Sequence, residues 1–333
     1  MDRRSFLNKL SITSAGMLVL PTYGIKAYNK PDNQREIMLK AGVCADVHRD
    51  FMPDSILRLQ TFIDSMNERG DIDFIIQLGD FSCPHDDNIP FMDVWNQFKG
   101  PAYHVIGNHE YDGGFTEEQV VSFFGSEGAY YSFDTKGYHF VVLNGNDPHP
   151  DKPDRPRSDY ISYIGEEQRR WLADDLDKTS LPVIAFSHQS IDEKLNGVEQ
   201  SIHTRLVCER ANEKAGFRKV RLIFSGHHHT DFHNTIHGIH HLSINSMSFI
   251  WIGLNYEHEC KCWSKEIEEK YHLLKHLIPY NDPLWAVMTI YSDGEIAIEG
   301  RQTGYTGPPP EELGLVSPWY VPRISDRRLT NSG

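Results

Sequence analysis

Histidine, aspartate and asparagine side chains occur in five short motifs of this 333-residue chain. Imidazole and carboxylate groups in such a mixture suit first-row metals such as Mn, Fe or Zn better than Ca or Mg. We therefore expect the motifs to form a metal centre, provided that the fold brings them together. In chain order they are Asp46-Val47-His48, Gly79-Asp80, Gly107-Asn108-His109-Glu110, Ser187-His188 and Gly226-His227-His228-His229.

Each motif follows a short apolar run that is typical of a buried strand. Ligands of open α/β sheets gather beyond the carboxyl ends of the strands, so the five turns can converge on one site. Glycine stands directly before Asp80, Asn108 and His227, where it lets the backbone turn sharply. The five predicted strands are Met38–Cys44, Phe74–Leu78, Ala102–Ile106, Val183–Phe186 and Val220–Phe224.

Amphipathic stretches between these runs predict helices that begin after Pro53, at a capping box of Thr116 with Gln119, and at Glu166. Alternation of strands and helices indicates an α/β fold. Further strands with hairpin spacing indicate that the sheets are mixed. These are Tyr130–Phe133 with His139–Asn144, and Phe232–Ile236 with Ile239–Ile244.

The five motifs in this order resemble the calcineurin-like metallophosphoesterase family, whose pattern is D-x-H, G-D, G-N-H-[D/E], H and G-H-x-H. The resemblance covers roughly residues 38–300. It implies an α/β/β/α sandwich of two mixed β-sheets flanked by helices, and a site for two metal ions. By this resemblance Asp80 bridges the two ions with its two oxygens. The first ion is then held by Asp46, His48 and His229, and the second by Asn108, His188 and His227.

Two such ions, about 3.5–4 Å apart, lower the pKa of a bridging water toward about 7, clamp the phosphate oxygens and align in-line attack on phosphorus. The resemblance implies that His109 protonates the leaving-group oxygen and that Glu110 orients its ring. Arg49 follows the first motif and is a candidate contact for the phosphate. We therefore expect hydrolysis of a small-molecule phosphate ester by a metal-bridging hydroxide.

Two alternatives stay open at this stage. A phosphomonoester carries more negative charge than a phosphodiester and usually needs additional cationic groups. Arg49, Arg155 and Arg157 are candidates for that role, so the sequence does not decide between the two substrates. The alternative to an enzyme is a non-catalytic metal-binding interaction scaffold on the same fold, although no motif position is lost.

The N-terminus predicts export. Residues 1–27 combine a basic start, an apolar run and small residues, as in a signal peptide, and Arg3-Arg4 resembles a twin-arginine signal. We expect this segment to meet the export machinery and the protein to be periplasmic or secreted. No other apolar stretch approaches the length of a transmembrane helix. The remaining predicted parts are a linker over 28–36, a phosphoesterase domain over 37–304 and a Pro-rich C-terminal tail over 305–333.

Charge and cysteine content add further expectations. A formal net charge of −14 repels nucleic acid, so no nucleic-acid-binding surface is expected. The five cysteines are odd in number and predict free thiols. Two segments, 146–159 and an insertion at about 252–279, lie outside the strand–helix alternation, and a helix is predicted over Ser264–Leu277. Trp251, Tyr256 and Trp263 are candidates to contact the organic group of a substrate.

Overall fold

The structure is a computed structural model that describes residues 35–195, 197–259 and 262–330. These residues form sixteen β-strands, numbered here in chain order. Their bounds are β1 Ile37–Cys44, β2 Phe74–Gln77, β3 Ala102–His104, β4 Tyr131–Thr135, β5 Tyr138–Leu143, β6 Val183–Ser187, β7 Val220–Ser225, β8 Phe232–Ile236, β9 Ile239–Ser243, β10 Phe249–Trp251, β11 Leu277–Pro279, β12 Ala286–Tyr291, β13 Ile296–Glu299, β14 Arg301–Gln302, β15 Arg323–Ile324 and β16 Arg327–Leu329.

Twelve of these strands form two six-stranded sheets. The first sheet has the order β16-β13-β12-β1-β2-β3, in which β1, β2 and β3 are parallel and the other neighbours are antiparallel. The second has the order β4-β5-β6-β7-β9-β8, with β5, β6, β7 and β9 parallel. Both sheets are mixed, as predicted.

The two sheets pack face to face around one apolar core. Leu39 and Ile76 of the first sheet lie in this core with Phe140, Phe186 and Phe224 of the second. The ring centroids of Phe140 and Phe186 are 6.1 Å apart, and those of Phe186 and Phe224 are 5.5 Å apart. Inward-facing side chains of two sheets that interdigitate in this way make a sandwich.

Helices cover the outer face of each sheet. On the first sheet Phe62 and Met66 pack against Ile75, and on the second Leu172 packs against Val141. Thr116 forms the predicted capping box with Gln119. The arrangement is therefore the predicted helix–sheet–sheet–helix sandwich. The helices are α1 Ser55–Arg69, α2 Ile89–Trp95, α3 Glu117–Phe124, α4 Glu166–Lys178, α5 Ser201–Ala215 and α6 Lys265–Lys270.

The insertion differs from its prediction. In place of one helix over Ser264–Leu277 the chain forms α6, a single 3-10 turn over His272–His276, and strand β11. Strand β11 pairs antiparallel with β10 and its Leu277 is fully buried. Pairing and burial of this apolar end therefore outweigh the helical propensity of the charged residues before it.

The predictions about the cysteines and the N-terminal segment can be compared with the described residues. Cys262 is disulfide-bonded, so the prediction of five free thiols is wrong, whereas Cys44, Cys83 and Cys208 are free. The predicted signal peptide and all of the predicted linker except residues 35 and 36 lie outside the described residues. Within the described part, no helix is long and apolar enough to cross a membrane.

Candidate metal centre

All residues predicted as metal ligands come together beyond the carboxyl ends of β1, β2, β3, β6 and β7. Six of them form two groups, and the potential ligand atoms within each group lie within 4.8 Å of one another; a third group of the same kind, His48, Asp80 and His109, overlaps both. Asn108 adjoins the second group through its Oδ1, which lies 3.2 Å from Nε2 of His188. The first group consists of Asp46, His48 and His229, and the second of Asp80, His188 and His227.

In the first group the ring nitrogens of two histidines face each other. Nε2 of His48 lies 3.1 Å from Nε2 of His229, and the latter lies 3.3 Å from Oδ1 of Asp46. In the second group Nε2 of His188 lies 3.2 Å from Nδ1 of His227 and 3.0 Å from Oδ2 of Asp80.

These spacings fit metal coordination. Nitrogen and oxygen ligands lie about 2.1 Å from a metal such as zinc, which places neighbouring ligand atoms about 3.0–3.4 Å apart in tetrahedral or octahedral geometry. The close pairs of both groups fall in this range or at its edge. The donor set of imidazoles, carboxylates and one carboxamide is also the one that first-row metals prefer. The residues therefore fit a metal ion in each group.

Asp80 belongs to the surroundings of both groups. Its Oδ2 lies 3.0 Å from Nε2 of His188 and 3.8 Å from Nε2 of His48. Its Oδ1 accepts a hydrogen bond of 3.0 Å from the backbone N–H of His109. Oδ2 of Asp80 thus lies near ligands of both groups, and a bridge through both of its oxygens stays a prediction.

Strained backbone marks the same residues. Nine non-glycine residues of the described chain have positive φ, and five of them are predicted ligands. A left-handed conformation is costly for residues other than glycine, and it persists where surrounding contacts enforce it, often at functional sites. The five are Asp46, His48, Asp80, His227 and His229, with φ of 52°, 53°, 51°, 66° and 47°.

Hydrogen bonds hold these strained turns. The backbone N–H of His48 donates to the carbonyl of Asp80 at 2.9 Å, and the hydroxyl of Ser246 donates to the carbonyl of Asp46 at 2.8 Å. The ring of His188 is held by Nδ1–H, which donates to the carbonyl of Leu78 at 2.7 Å. This bond leaves Nε2 of His188 free to ligate, as an outer-shell contact of a metal-bound histidine does.

Burial and nearby charges shift the pKa values of three of these histidines, two downwards and one upwards. Burial lowers the pKa of His48 and His227 well below 6.5. Burial also acts to lower the pKa of His188, but the Asp80 carboxylate outweighs it and raises that pKa to about 9. The neutral imidazole is the form that ligates metal, so His48 and His227 are already in that form near pH 7.

His109 lies beside the two groups, with Nε2 4.0 Å from Oδ2 of Asp80. Its Nδ1 lies 2.7 Å from Oδ2 of Asp112, and the hydroxyl of Tyr160 lies 3.2 Å from the same nitrogen. Tyr160 also donates a hydrogen bond of 3.1 Å to Oδ1 of Asp112. Burial acts to lower the pKa of His109, but the carboxylates of Asp80 and Asp112 raise it above 6.5. A protonated His109 is equipped to donate a proton from Nε2.

Glu110 does not orient His109, which corrects the role expected from the resemblance. Its carboxylate is fully buried and accepts hydrogen bonds from the backbone N–H groups of Phe81 at 2.6 Å and Gly107 at 2.7 Å, with longer ones from Asp80 and Ser82. It therefore fixes the turns that carry Asp80 and Asn108, while Asp112 holds the ring of His109.

One cavity of about 540 Å³ opens onto the centre. Among the described residues that line it, none is Lys or Arg, and Arg49 is absent from the lining. Arg157 bonds to the carbonyl of Asn146 and to Glu117 instead. The lining residues are His48, Phe51, Asp80, Asn108, His109, Tyr160, His227, His228, His229, Phe249, Trp251, Leu254 and Leu273.

Comparison with known proteins agrees with this geometry. The family described as calcineurin-like phosphoesterase matches residues 39–231, which is more than half of the chain. This chain belongs to the calcineurin-like phosphoesterases. It is accordingly a metal-dependent hydrolase of phosphoric esters.

Two curated relatives and one solved structure resemble this phosphoesterase. A manganese-dependent ADP-ribose/CDP-alcohol diphosphatase of Arabidopsis thaliana is 26% identical over 272 residues, covering 64% of this chain and 87% of that protein. A protein of the same name from Oryza sativa subsp. japonica is 27% identical over 279 residues, covering 64% and 85%. The crystal structure of a dimetal phosphatase from Danio rerio has the same fold, with a TM-score of 0.58, 15% identity, and coverage of 89% and 100%.

Two residues at the centre of this phosphoesterase were missed by sequence reasoning. Asp112 stands three residues after His109, a spacing that allows contact within one 3-10 turn, here His109–Tyr111. Tyr160 has no comparable signal, because it reaches the site only through the path of the long loop before it.

Proposed function

We propose that this phosphoesterase hydrolyses a phosphodiester or phosphoanhydride bond in a small nucleotide derivative, with two metal ions at the two ligand groups. The observation that carries the proposal is the position of one Asp80 oxygen between the groups, 3.0 Å from His188 and 3.8 Å from His48. When bound, two such ions activate water for attack on phosphorus and neutralise charge on the phosphate oxygens.

The cavity favours a diester or anhydride over a monoester. A dianionic monoester end needs cationic groups beyond the metals, and no Lys or Arg is among the described residues that line the cavity. The relatives' names, ADP-ribose/CDP-alcohol diphosphatase, point to the same bond type. They also support manganese as the working metal, a choice consistent with the mixed nitrogen and oxygen donors.

His109 supplies the proton. Its Nδ1–H donates to Asp112 and its Nε2 lies 4.0 Å from Oδ2 of Asp80, so the ring presents Nε2 to a leaving-group oxygen at the metal centre in a fixed orientation. Proton transfer from a positioned histidine is typically worth about 10²- to 10⁴-fold in rate. Tyr160 packs against the same ring, with centroids 4.7 Å apart, and limits its rotation.

The test combines metal analysis with a substrate comparison. Purified full-length protein loaded with Mn²⁺ is expected to hold two ions per chain and to cleave ADP-ribose and a CDP-alcohol to nucleoside monophosphates. AMP and 4-nitrophenyl phosphate serve as monoester controls and are expected to react far more slowly. Faster hydrolysis of the monoesters, or full activity with less than one ion per chain, would refute the proposal.

The proposal includes export from the cytoplasm. Arg3-Arg4 supports it, and so does the disulfide at Cys262, because disulfides persist in oxidising compartments. Replacing both arginines by lysine is expected to leave the precursor inside the cell, as followed by fractionation. Undiminished processed protein outside the cytoplasm would contradict a twin-arginine route, and reduction of Cys262 in protein taken from cells would contradict export.

A further inference from the structure

The cavity over the metal centre has two chemically different walls. The ligand groups and His109 form a polar floor, whereas Trp251, Leu254 and Leu273 are apolar and belong to the insertion or to the strand that leads into it. Leu254 is 66% exposed, which is unusual for a leucine beside a polar site. Apolar surface exposed inside a cleft commonly marks a ligand contact.

The apolar wall is fixed to the metal centre through β10. Phe249 packs against His48 and His229, with ring centroids 5.0 Å and 4.8 Å apart. Trp251 is two residues further along the same strand, so its side chain leaves the same face about 6–7 Å away. A phosphate held at the metal centre therefore places the group attached to it, rather than the phosphate itself, against Trp251.

The insertion is held in place on the side of this wall. The backbone N–H of Ile252 donates to the carbonyl of His276 at 3.0 Å, and that of His258 donates to the carbonyl of Lys275 at 3.0 Å. Nδ1–H of His276 also donates to the carbonyl of Tyr256 at 2.8 Å. These bonds order the chain on both sides of Leu254 and near Leu273, so the wall is formed before a ligand arrives.

We propose that Trp251, Leu254 and Leu273 form the binding site for the nucleobase of a nucleoside phosphate, an inference that rests on the proposed function. An indole ring and two leucines offer stacking and apolar contact. The two leucines carry no hydrogen-bonding side-chain group, so contact with a base at these three residues rests on stacking and apolar area. Every base has a π-face, so a stacking site without edge-reading groups accepts purines and pyrimidines alike.

The experiment measures binding rather than turnover. Isothermal titration of the Mn²⁺-loaded full chain with AMP, CMP and inorganic phosphate separates the base from the phosphate. AMP and CMP are expected to bind at least about tenfold more tightly than phosphate and within about threefold of each other, because stacking of one base is worth roughly 1–3 kcal/mol.

Variants of the wall identify the site. Leu254→Asp changes an exposed residue and is expected to fold normally, whereas Trp251→Ala tests the indole and Trp251→Phe restores an aromatic ring. Leu254→Asp and Trp251→Ala are expected to weaken AMP binding about tenfold while phosphate binding changes less than twofold. Tyr256→Ala is the matched control, since Tyr256 is 52% exposed in the same insertion and does not line the cavity.

Several results would overturn the inference. AMP that binds no more tightly than phosphate to the unaltered protein would do so, as would Leu254→Asp and Trp251→Ala without effect on AMP. Equal losses for AMP and phosphate would assign these residues to the metal centre instead. If AMP keeps its advantage while no diester is cleaved, the proposed function fails and the base site stands. If diesters are cleaved while AMP has no advantage over phosphate, the base site fails and the proposed function stands.

Discussion

Nδ1 of His109 lies 2.7 Å from Oδ2 of Asp112, three residues later in the chain. Because this carboxylate accepts the Nδ1 proton, Nε2 is left to face the metal centre, where it lies 4.0 Å from Oδ2 of Asp80. The ion pair thus fixes the orientation of the His109 ring, which lies between the rings of Phe51 and Tyr160.

Asp112→Asn is expected to lower kcat about 10- to 100-fold, by analogy with the cost of removing a carboxylate that orients a metal-bound histidine. The loss should be larger for substrates with poor leaving groups, because these depend most on the proton from His109. Metal content, measured by mass spectrometry, should stay at two ions. Tyr160→Phe keeps the ring contact and is expected to lose less. A loss independent of leaving group would contradict this role.

His109→Ala removes the acid itself. The variant is expected to retain both metals and to lose about 10²- to 10⁴-fold in rate on substrates that need protonation of the leaving group. His188→Ala is the comparison, since it removes a predicted ligand and should lose metal as well. If the metal content of the two variants falls equally, His109 is a ligand and not the acid.

The strands and the motif residues could be predicted from the sequence because the patterns that indicate them are local. Apolar runs such as Val183–Phe186 and the capping pair Thr116 and Gln119 are local patterns, and their interactions lie within a few residues. The role of Glu110 could not be obtained in the same way. An acid next to His109 can turn toward its ring or toward the backbone, and the turns of β2 and β3 decide that choice.

Most residues that line the cavity could not be predicted from local sequence patterns either. Tyr160 and Leu273 reach the metal centre from segments whose paths depend on tertiary packing, so no spacing in the sequence indicates them. Trp251 was a candidate contact and does line the cavity, whereas Tyr256 and Trp263 do not. Trp263 packs, as Trp251 also does, against the small apolar cluster of Met52, Phe249, Leu274 and Leu277.

Asp80→Asn tests the shared oxygen. One neutral amide oxygen holds two dications poorly, so the variant is expected to lose at least one metal ion. Its activity is expected to fall at least about 100-fold, the upper end of the loss caused by changing a residue that only supports a metal ligand. Metal analysis after dialysis against trace chelator measures the first effect. Asp112→Asn is the control and should keep both ions. Two ions and near-normal turnover in Asp80→Asn would refute the assignment.

Glu110→Gln tests the corrected role. The amide nitrogen of glutamine would replace one carboxylate oxygen and face the backbone N–H groups that donate to it, either those of Phe81 and Ser82 or those of Asp80 and Gly107. Leaving two buried donors unpaired at roughly 1–3 kcal/mol each predicts a loss of about 3 kcal/mol in the free energy of unfolding. Urea denaturation measures it, with exposed Glu68→Gln as the control. An unchanged unfolding midpoint would show that Glu110 does not stabilise these turns, and its expected role in orienting His109 would stand again.

The last prediction concerns pH and lies away from the centre. His139 on β5 is held between Oδ1 of Asp134 at 2.6 Å and Oδ2 of Asp175 at 2.7 Å. Burial acts to lower the pKa of His139, but the two carboxylates outweigh it and raise that pKa above 6.5. A raised histidine pKa means that the stabilisation is fully present below about pH 6.5 and is lost as pH rises through the folded-state value.

His139→Gln should therefore cost more stability at pH 5.5 than at pH 8.5. His139 is buried but Asp134 is 62% exposed, so solvent screening keeps the expected difference in the free energy of unfolding to about 1 kcal/mol or less. Urea denaturation at the two pH values measures it, and His203→Gln, at an exposed position of α5, controls for the loss of any histidine. Asp175→Asn should reproduce the effect, because its carboxylate is a partner of the same ring. A cost that is equal at both pH values, or greater at pH 8.5, would show that the charged pair does not stabilise the fold.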